Sequence, residues 1–154
     1  GKVFIGHGRS PIWREVKDFI ADRLKLQWDE FNREAVAGMT TFERLSQMVD
    51  EACFAFLVMT AEDEYADATL HARENVIHET GLFQGHLGPR KAIVLRENGC
   101  KEFSNIHGLC EIRFSSGQVS AIFEDMRRVL EREGILLNHS LNRMEKAERG
   151  PRST

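Results

Sequence analysis

The chain has 154 residues, 42% of them hydrophobic, which is enough apolar material for one compact domain with its own core. A formal net charge of −3 gives no basic surplus for a general attraction to nucleic acid or an anionic membrane, so a small metabolite or another protein is the expected partner. Cys53, Cys100 and Cys110 lack the close pairing of a zinc or redox motif, and no apolar run approaches the ~20 residues that span a bilayer, so a reducing, cytoplasmic setting is expected.

Val3-Phe4-Ile5 reads as a short apolar strand that ends in the polar turn Gly6-His7-Gly8-Arg9-Ser10. Ser10 as N-cap and Pro11 at the first helical position then open a helix. Its apolar stripe is Ile12, Val16, Phe19, Ile20 and Leu24, and it is expected to end near Leu24. Residues 26–31 read as a second strand, and residues 32–39 as a loop that carries Gly38 and loses all periodicity. Thr40 and Glu43 have the spacing of a capping box. The helix they open presents Phe42, Leu45, Met48, Val49 and Ala52 on its apolar side and runs straight into Cys53-Phe54-Ala55-Phe56-Leu57-Val58-Met59. A strand apolar on both faces belongs in the middle of a parallel sheet covered by helices on each side.

An acidic loop, residues 60–67, precedes a helix that carries Asn75 and Glu79; residues 91–95 and 109–114 supply a fourth and a fifth strand. Val119, Ile122, Phe123, Met126, Val129 and Leu130 mark a last amphipathic helix closed by Gly134. The repeated strand-helix unit predicts a doubly wound α/β sheet in one domain, residues 1–137. Residues 138–154 turn polar, contain Gly150-Pro151, and read as a linker or tail.

In open α/β folds ligands bind outside the carboxyl ends of the strands. Segments 6–10, 32–39 and 60–75 all follow strand ends and so share one rim. Glu79 sits early in the helix after the central strand, as a rim carboxylate. Asn75 lies one turn before it on the same face, continued by Leu82 and His86. Ile77 and Gly81 occupy another face, where the small Gly81 would allow close packing on the sheet. Most helical glutamates are solvated, so spacing alone leaves the role of Glu79 open.

The Gly6–Gly8 backbone and Arg9, at the start of the first helix, suit a phosphate. A plain strand-to-helix turn fits the same residues, which lack the third glycine of the dinucleotide fingerprint and the spacing of a P-loop. His78 next to Glu79 lacks a second histidine four positions on, where Leu82 stands, and His7, His71, His86 and His107 have no ligand spacing. No metal site is expected.

Five ordered stretches, Val3-Phe4-Ile5-Gly6-His7-Gly8-Arg9-Ser10, Phe31-Asn32-Arg33-Glu34, Phe54-Ala55-Phe56-Leu57-Val58-Met59-Thr60, Asn75-Val76-Ile77-His78-Glu79 and Gly81-Leu82-Phe83-Gln84-Gly85, together resemble the TIR-like domain of bacterial antiphage effectors of the CBASS and Pycsar kind. The resemblance implies a flavodoxin-like TIR fold, with a five-stranded parallel sheet and helices on both faces. It also implies an NAD+ hydrolase that releases nicotinamide and ADP-ribose products, with NAD+ as substrate and no cofactor. Glu79 takes the place of the family's catalytic glutamate. Gly6, His7, Gly8, Arg9, Ser10, Phe31, Arg33 and Asn75 become the expected substrate-binding residues.

Residues 32–39 correspond to the BB loop, which in that family helps close the site and mediates self-association. The resemblance further implies a sensor domain for a cyclic nucleotide elsewhere in the full-length protein. One departure stands out: many TIR enzymes carry a tryptophan one turn before the glutamate, where this chain has Asn75. A single carboxylate suits the chemistry. Glycoside hydrolysis ordinarily needs a second carboxyl to protonate a poor leaving group, whereas nicotinamide leaves a cationic pyridinium as a neutral amide. Two other readings remain open, a nucleoside deoxyribosyltransferase-like enzyme and a non-catalytic TIR adaptor that recruits partners through the BB loop.

Overall fold

The computed structural model describes residues 1–31, 38–101 and 110–137. Strands β1 (Lys2–His7), β2 (Trp28–Glu30), β3 (Ala52–Met59), β6 (Ala92–Glu97) and β7 (Glu111–Phe114) form one five-stranded sheet in the order β2-β1-β3-β6-β7. Every neighbouring pair is parallel. A separate antiparallel hairpin, β4 (Asp63–Glu64) with β5 (Leu70–His71), stands in the segment expected to be an acidic loop. Strands of two residues carry no readable alternation, and this hairpin is held by a Tyr65–His71 ring stack with centroids 3.6 Å apart. The sheet is the doubly wound α/β arrangement that the strand-helix alternation predicts, in the flavodoxin-like strand order that the resemblance implies.

Alternation along β1 and β3 sends side chains to two separate cores. Val3, Ile5, Phe54, Phe56 and Val58 join Val16, Phe19 and Ile20 of the first helical segment and Met126 and Leu130 of the last. Phe4, Ala55, Leu57 and Met59 join Leu45, Met48, Val76 and Phe83 on the other face. The uninterrupted apolar run of β3 therefore satisfies two helical layers at once. One layer holds α1 (Trp13–Asp18) and α4 (Phe123–Arg132); the other holds α2 (Thr41–Glu51) and α3 (Glu74–Leu87). Phe4 stacks on Phe83 with ring centroids 4.0 Å apart, which ties α3 to β1.

The capping box forms as its spacing predicts: the Glu43 N–H donates to Thr40 Oγ1 at 3.1 Å and the Thr40 N–H to Glu43 Oε2 at 2.7 Å. The N-cap expected at Ser10 is displaced. Pro11 and Ile12 form a tighter turn, with the Arg14 N–H donating to the Pro11 carbonyl at 3.0 Å, so α1 begins at Trp13. The helix closes near Leu24 through a π-turn over Phe19–Arg23. Its exit consumes the Leu26 N–H, which donates to the Ile20 carbonyl at 3.0 Å, and this shortens β2 from the expected residues 26–31. Gly134 closes α4 at φ 72°, a conformation that favours glycine. Residues 32–37 of the expected loop, Leu109 of the expected fifth strand and the tail 138–154 lie outside the described residues.

Buried Arg96 binds β6 to β7: its Nε and Nη2 donate to Glu111 at 2.9 and 3.0 Å, and its Nη1 donates to the Cys100 carbonyl at 2.8 Å. The Arg96 guanidinium holds the Glu111 carboxyl below the usual carboxylate range. A depressed folded-state value means stability present above the unfolded value of 4.5 and lost as the pH falls through the folded one. We expect thermal melts of the wild-type domain to lose stability below about pH 4.5 more steeply than those of Glu111→Gln. Parallel losses in the two proteins would show that this pair does not carry the acid sensitivity.

Candidate active site

The strand order reverses at the boundary between β1 and β3, and the carboxyl ends of β1 and β2 open there onto the first turns of α3. Helix α3 packs on β1, β3 and β6 with Val76, Glu79, Thr80 and Phe83 buried. Glu79 is only 3% exposed. The rim carboxylate of the sequence reading is thus an inward-facing one, because Glu79 falls in the same angular phase as Val76 and Phe83. Gly81, expected to give close packing on the sheet, is solvent-facing, and a Cβ there would meet nothing within 4 Å.

Space for the Glu79 carboxylate comes from Gly6. A Cβ at Gly6 would stand 2.8 Å from Glu79 Oε2 and 2.6 Å from Leu57 Cδ1, closer than atoms pack. Glu79 lines a cavity of about 600 Å³ together with Phe31, Thr41, Phe42, Leu45, Asn75 and His78. Phe42, expected on the buried side of α2, is 71% exposed. It sits in the first turn of the helix and lines the cavity, while Leu45 and Met48 reach the core.

Asn75, one turn before Glu79, donates from Nδ2 to the His7 carbonyl at 3.2 Å and so pins α3 to the end of β1. A second cavity, of about 330 Å³, shares Phe31 and Asn75 with the first and is otherwise lined by His7, Gly8, Arg9, Trp13, Arg14, Glu30 and Arg73. The His7 ring lies against Trp13 with centroids 4.2 Å apart. Both its nitrogens are engaged: Nδ1 stands 2.8 Å from the Gly8 carbonyl oxygen and Nε2 stands 2.6 Å from Glu30 Oε2. His7 is therefore a fixed wall.

The Gly8-Arg9-Ser10 turn is occupied by the protein itself. The Ser10 N–H donates to Glu62 Oε1 at 2.6 Å, and a Cβ on Gly8 would collide with Glu62 Oε2. Arg9 extends outward to Asp63 at 3.6 Å. The structure thus brings Asn75 and Glu79 together with Phe31 and the β1 end, and it places Gly6 beneath the carboxylate. Arg33 lies outside the described residues. Among the described residues, no three His, Cys, Asp or Glu side chains form a group able to hold a metal ion. The sequence does not single out Thr41, Arg14, Glu30, Glu62 or Arg73, and offers His78 only as a metal-ligand candidate that lacks a partner; the acidic Glu62 against a glycine turn is a contact 52 residues apart in sequence, and no local pattern signals it.

A five-stranded parallel sheet in this order with helices on both faces is a flavodoxin-like domain, and here it carries a helix-borne glutamate over the first strand. The chain belongs to the family described as "CAP12/Pycsar effector protein, TIR domain", whose profile matches residues 2–116. It is 30% identical over 114 residues to the Escherichia coli (strain K12) "Uncharacterized protein YuaY", covering 70% of this chain and 38% of that protein. It is 27% identical over 122 residues to the "CD-NTase-associated protein 12" of Lachnospiraceae bacterium (strain RUG226), covering 75% of this chain and 38% of the relative. A protein of the same name from Flavobacterium daejeonense is 28% identical over 122 residues, 73% of this chain and 38% of that relative. The chain thus spans well under half the length of these relatives. It is an effector-type TIR domain, and no helix among its described residues is long and apolar enough to cross a membrane.

The close approach of Gly6 and Glu79 can be tested without any ligand. Gly6→Ala is expected to destabilise the domain by about 1–3 kcal/mol through overpacking. It should cost less in a Glu79→Ala background, where the Glu79 contact is gone and those with Leu57 and Phe4 remain. Denaturant melts of the four proteins in that cycle measure the coupling, and equal costs in both backgrounds would contradict it.

Proposed function

We propose that this domain cleaves the nicotinamide-ribose bond of NAD+, with Glu79 as its catalytic carboxylate, in an effector of antiphage defence. The observation that carries this reading is a buried carboxylate on the wall of a cavity of about 600 Å³ that two phenylalanines also line. As the C1′–N bond breaks, its electron pair moves onto the pyridinium nitrogen and nicotinamide departs neutral. The positive charge passes to the ribose. Water then adds at C1′, and release of its proton completes nicotinamide plus ADP-ribose.

A carboxylate held out of water is stronger against that developing charge than one in bulk solvent, and it is already in place when the charge appears. The Gly6 floor keeps Glu79 inside the cavity, and the Asn75 bond to the His7 carbonyl holds the first turn of α3 in register with β1. Phe31 and Phe42 supply flat apolar walls for a nicotinamide ring in a chain that has Asn75 where many TIR enzymes carry a tryptophan. Membership of a family of effector TIR domains supports that setting, and the relatives extend well past this domain. A cyclic-nucleotide sensor in that further length fits the reading. Self-association fits it too: Met39 and Phe42 are exposed apolar side chains close in sequence to segment 32–37.

Glu79→Gln is expected to reduce nicotinamide release by at least about a hundredfold, the usual loss when one transition-state charge contact is removed. Its melt should stay close to wild type because the carboxamide has the same shape. Full turnover in a folded Glu79→Gln protein would remove Glu79 from the chemistry, and turnover of nucleosides instead of NAD+ would favour the deoxyribosyltransferase reading. Turnover per molecule is also expected to rise with protein concentration or crowding, as assembly of the effector would require. Specific activity that stays constant over a dilution of about a hundredfold, with clear turnover throughout, would assign the complete site to a monomer.

A further inference from the structure

We infer that the substrate's diphosphate binds to Arg73 and Arg14 in the second cavity, and that Glu62 excludes it from the glycine turn after β1. The inference rests on the NAD+ reading and fixes where the rest of that substrate lies. A glycine turn leading into a helix is the usual place to look for phosphate. Here the Ser10 N–H already serves Glu62 Oε1 at 2.6 Å, and Glu62 Oε2 is packed against Gly8, buried and without a hydrogen-bond partner among the described residues. A phosphate entering that turn would meet a carboxylate at contact distance and lose the amide it came for. Like charges so placed repel strongly away from water.

The neighbouring cavity of about 330 Å³ has the opposite character. Three arginines line it, and its acidic residue, Glu30, is held by His7 Nε2 at 2.6 Å. Arg9 is engaged with Asp63 at 3.6 Å. Among the described residues, no carboxylate pairs with Arg14 or Arg73. Arg73 stands at the N-cap of α3, one turn and a half before Glu79, and makes no side-chain cap bond. Arg14 reaches from α1, its guanidinium 6.0 Å from the Trp13 ring centroid. Two guanidinium forks from different elements suit the two phosphates of a dinucleotide, which accept paired N–H bonds. The two cavities share Phe31 and Asn75, so a ligand with its reactive ribose at Glu79 passes over Asn75 into the arginine-lined space.

The test is binding of ADP, which has the diphosphate but no nicotinamide ribose, measured by calorimetry on the wild-type domain and single variants. Arg73→Gln and Arg14→Gln should each weaken ADP about tenfold, the loss of a charge-assisted contact. They should raise KM for NAD+ to a similar extent and leave kcat unchanged. Glu62→Gln should leave ADP affinity within about twofold, because the diphosphate does not enter the turn that Glu62 fills. If Glu62→Gln instead tightens ADP while the Arg14 and Arg73 variants bind normally, the glycine turn is the phosphate site and the inference is overturned. Absence of ADP binding to the wild-type domain at millimolar concentration would overturn it as well. Arginine-dependent ADP binding without NAD+ cleavage would sink the activity and keep the subsite; Glu79-dependent cleavage with ADP affinity and KM indifferent to Arg14 and Arg73 would do the reverse.

Discussion

Glu79 faces the sheet from a covering helix, and the strand beneath makes room for its carboxylate with a residue that has no side chain, Gly6. Desolvating a carboxylate costs several kcal/mol, and a leucine at the same helical position would stabilise the domain instead. Placing it there serves the cavity and not the core, which is the usual mark of a functional group. The surrounding packing bears the cost. Val76 and Phe83 flank Glu79 on the same face of α3, and Phe83 stacks on Phe4, two residues before Gly6 on β1.

The rest of the site follows from where β1 sits. It is bonded to β2 on one side and β3 on the other, so its carboxyl end lies at the point where the chain switches direction across the sheet. The β2 end delivers Glu30 and Phe31, the β1 end delivers His7 and the glycine turn, and α3 delivers Asn75 and Glu79. Two cavities of different chemistry meet at Phe31 and Asn75. One is walled by phenylalanines and a carboxylate, the other by arginines. That contrast matches a substrate with an apolar ring and a scissile sugar at one end and a diphosphate behind them.

Much of this was legible in the sequence. The unbroken run of β3 announced a strand buried on both faces, and Thr40 with Glu43 and Gly134 marked helix ends that form as expected. The spacing of Asn75 and Glu79 makes them neighbours on one helix, and both lie on α3. The orientation of that helix was not legible, because its buried face carries Glu79 and Thr80 and reads as polar. Thr80 is accommodated by donating its hydroxyl to the Val76 carbonyl at 2.7 Å, a local solution that hydrophobic periodicity cannot register. Glycine was read for the wrong partner as well: Gly81 faces solvent, whereas Gly6 makes the close approach, and only a tertiary contact tells them apart. Glu62 lay hidden for the same reason.

The most direct measurement is proton NMR of NAD+ incubated with the domain at high protein concentration. If Glu79 faces the nicotinamide ribose as its geometry suggests, resonances of free nicotinamide and of ADP-ribose products should grow in equal amounts while the adenine half stays intact. An NAD+ spectrum that never changes, even under crowded conditions that promote assembly, would contradict the assignment of this cavity to nicotinamide-ribose cleavage.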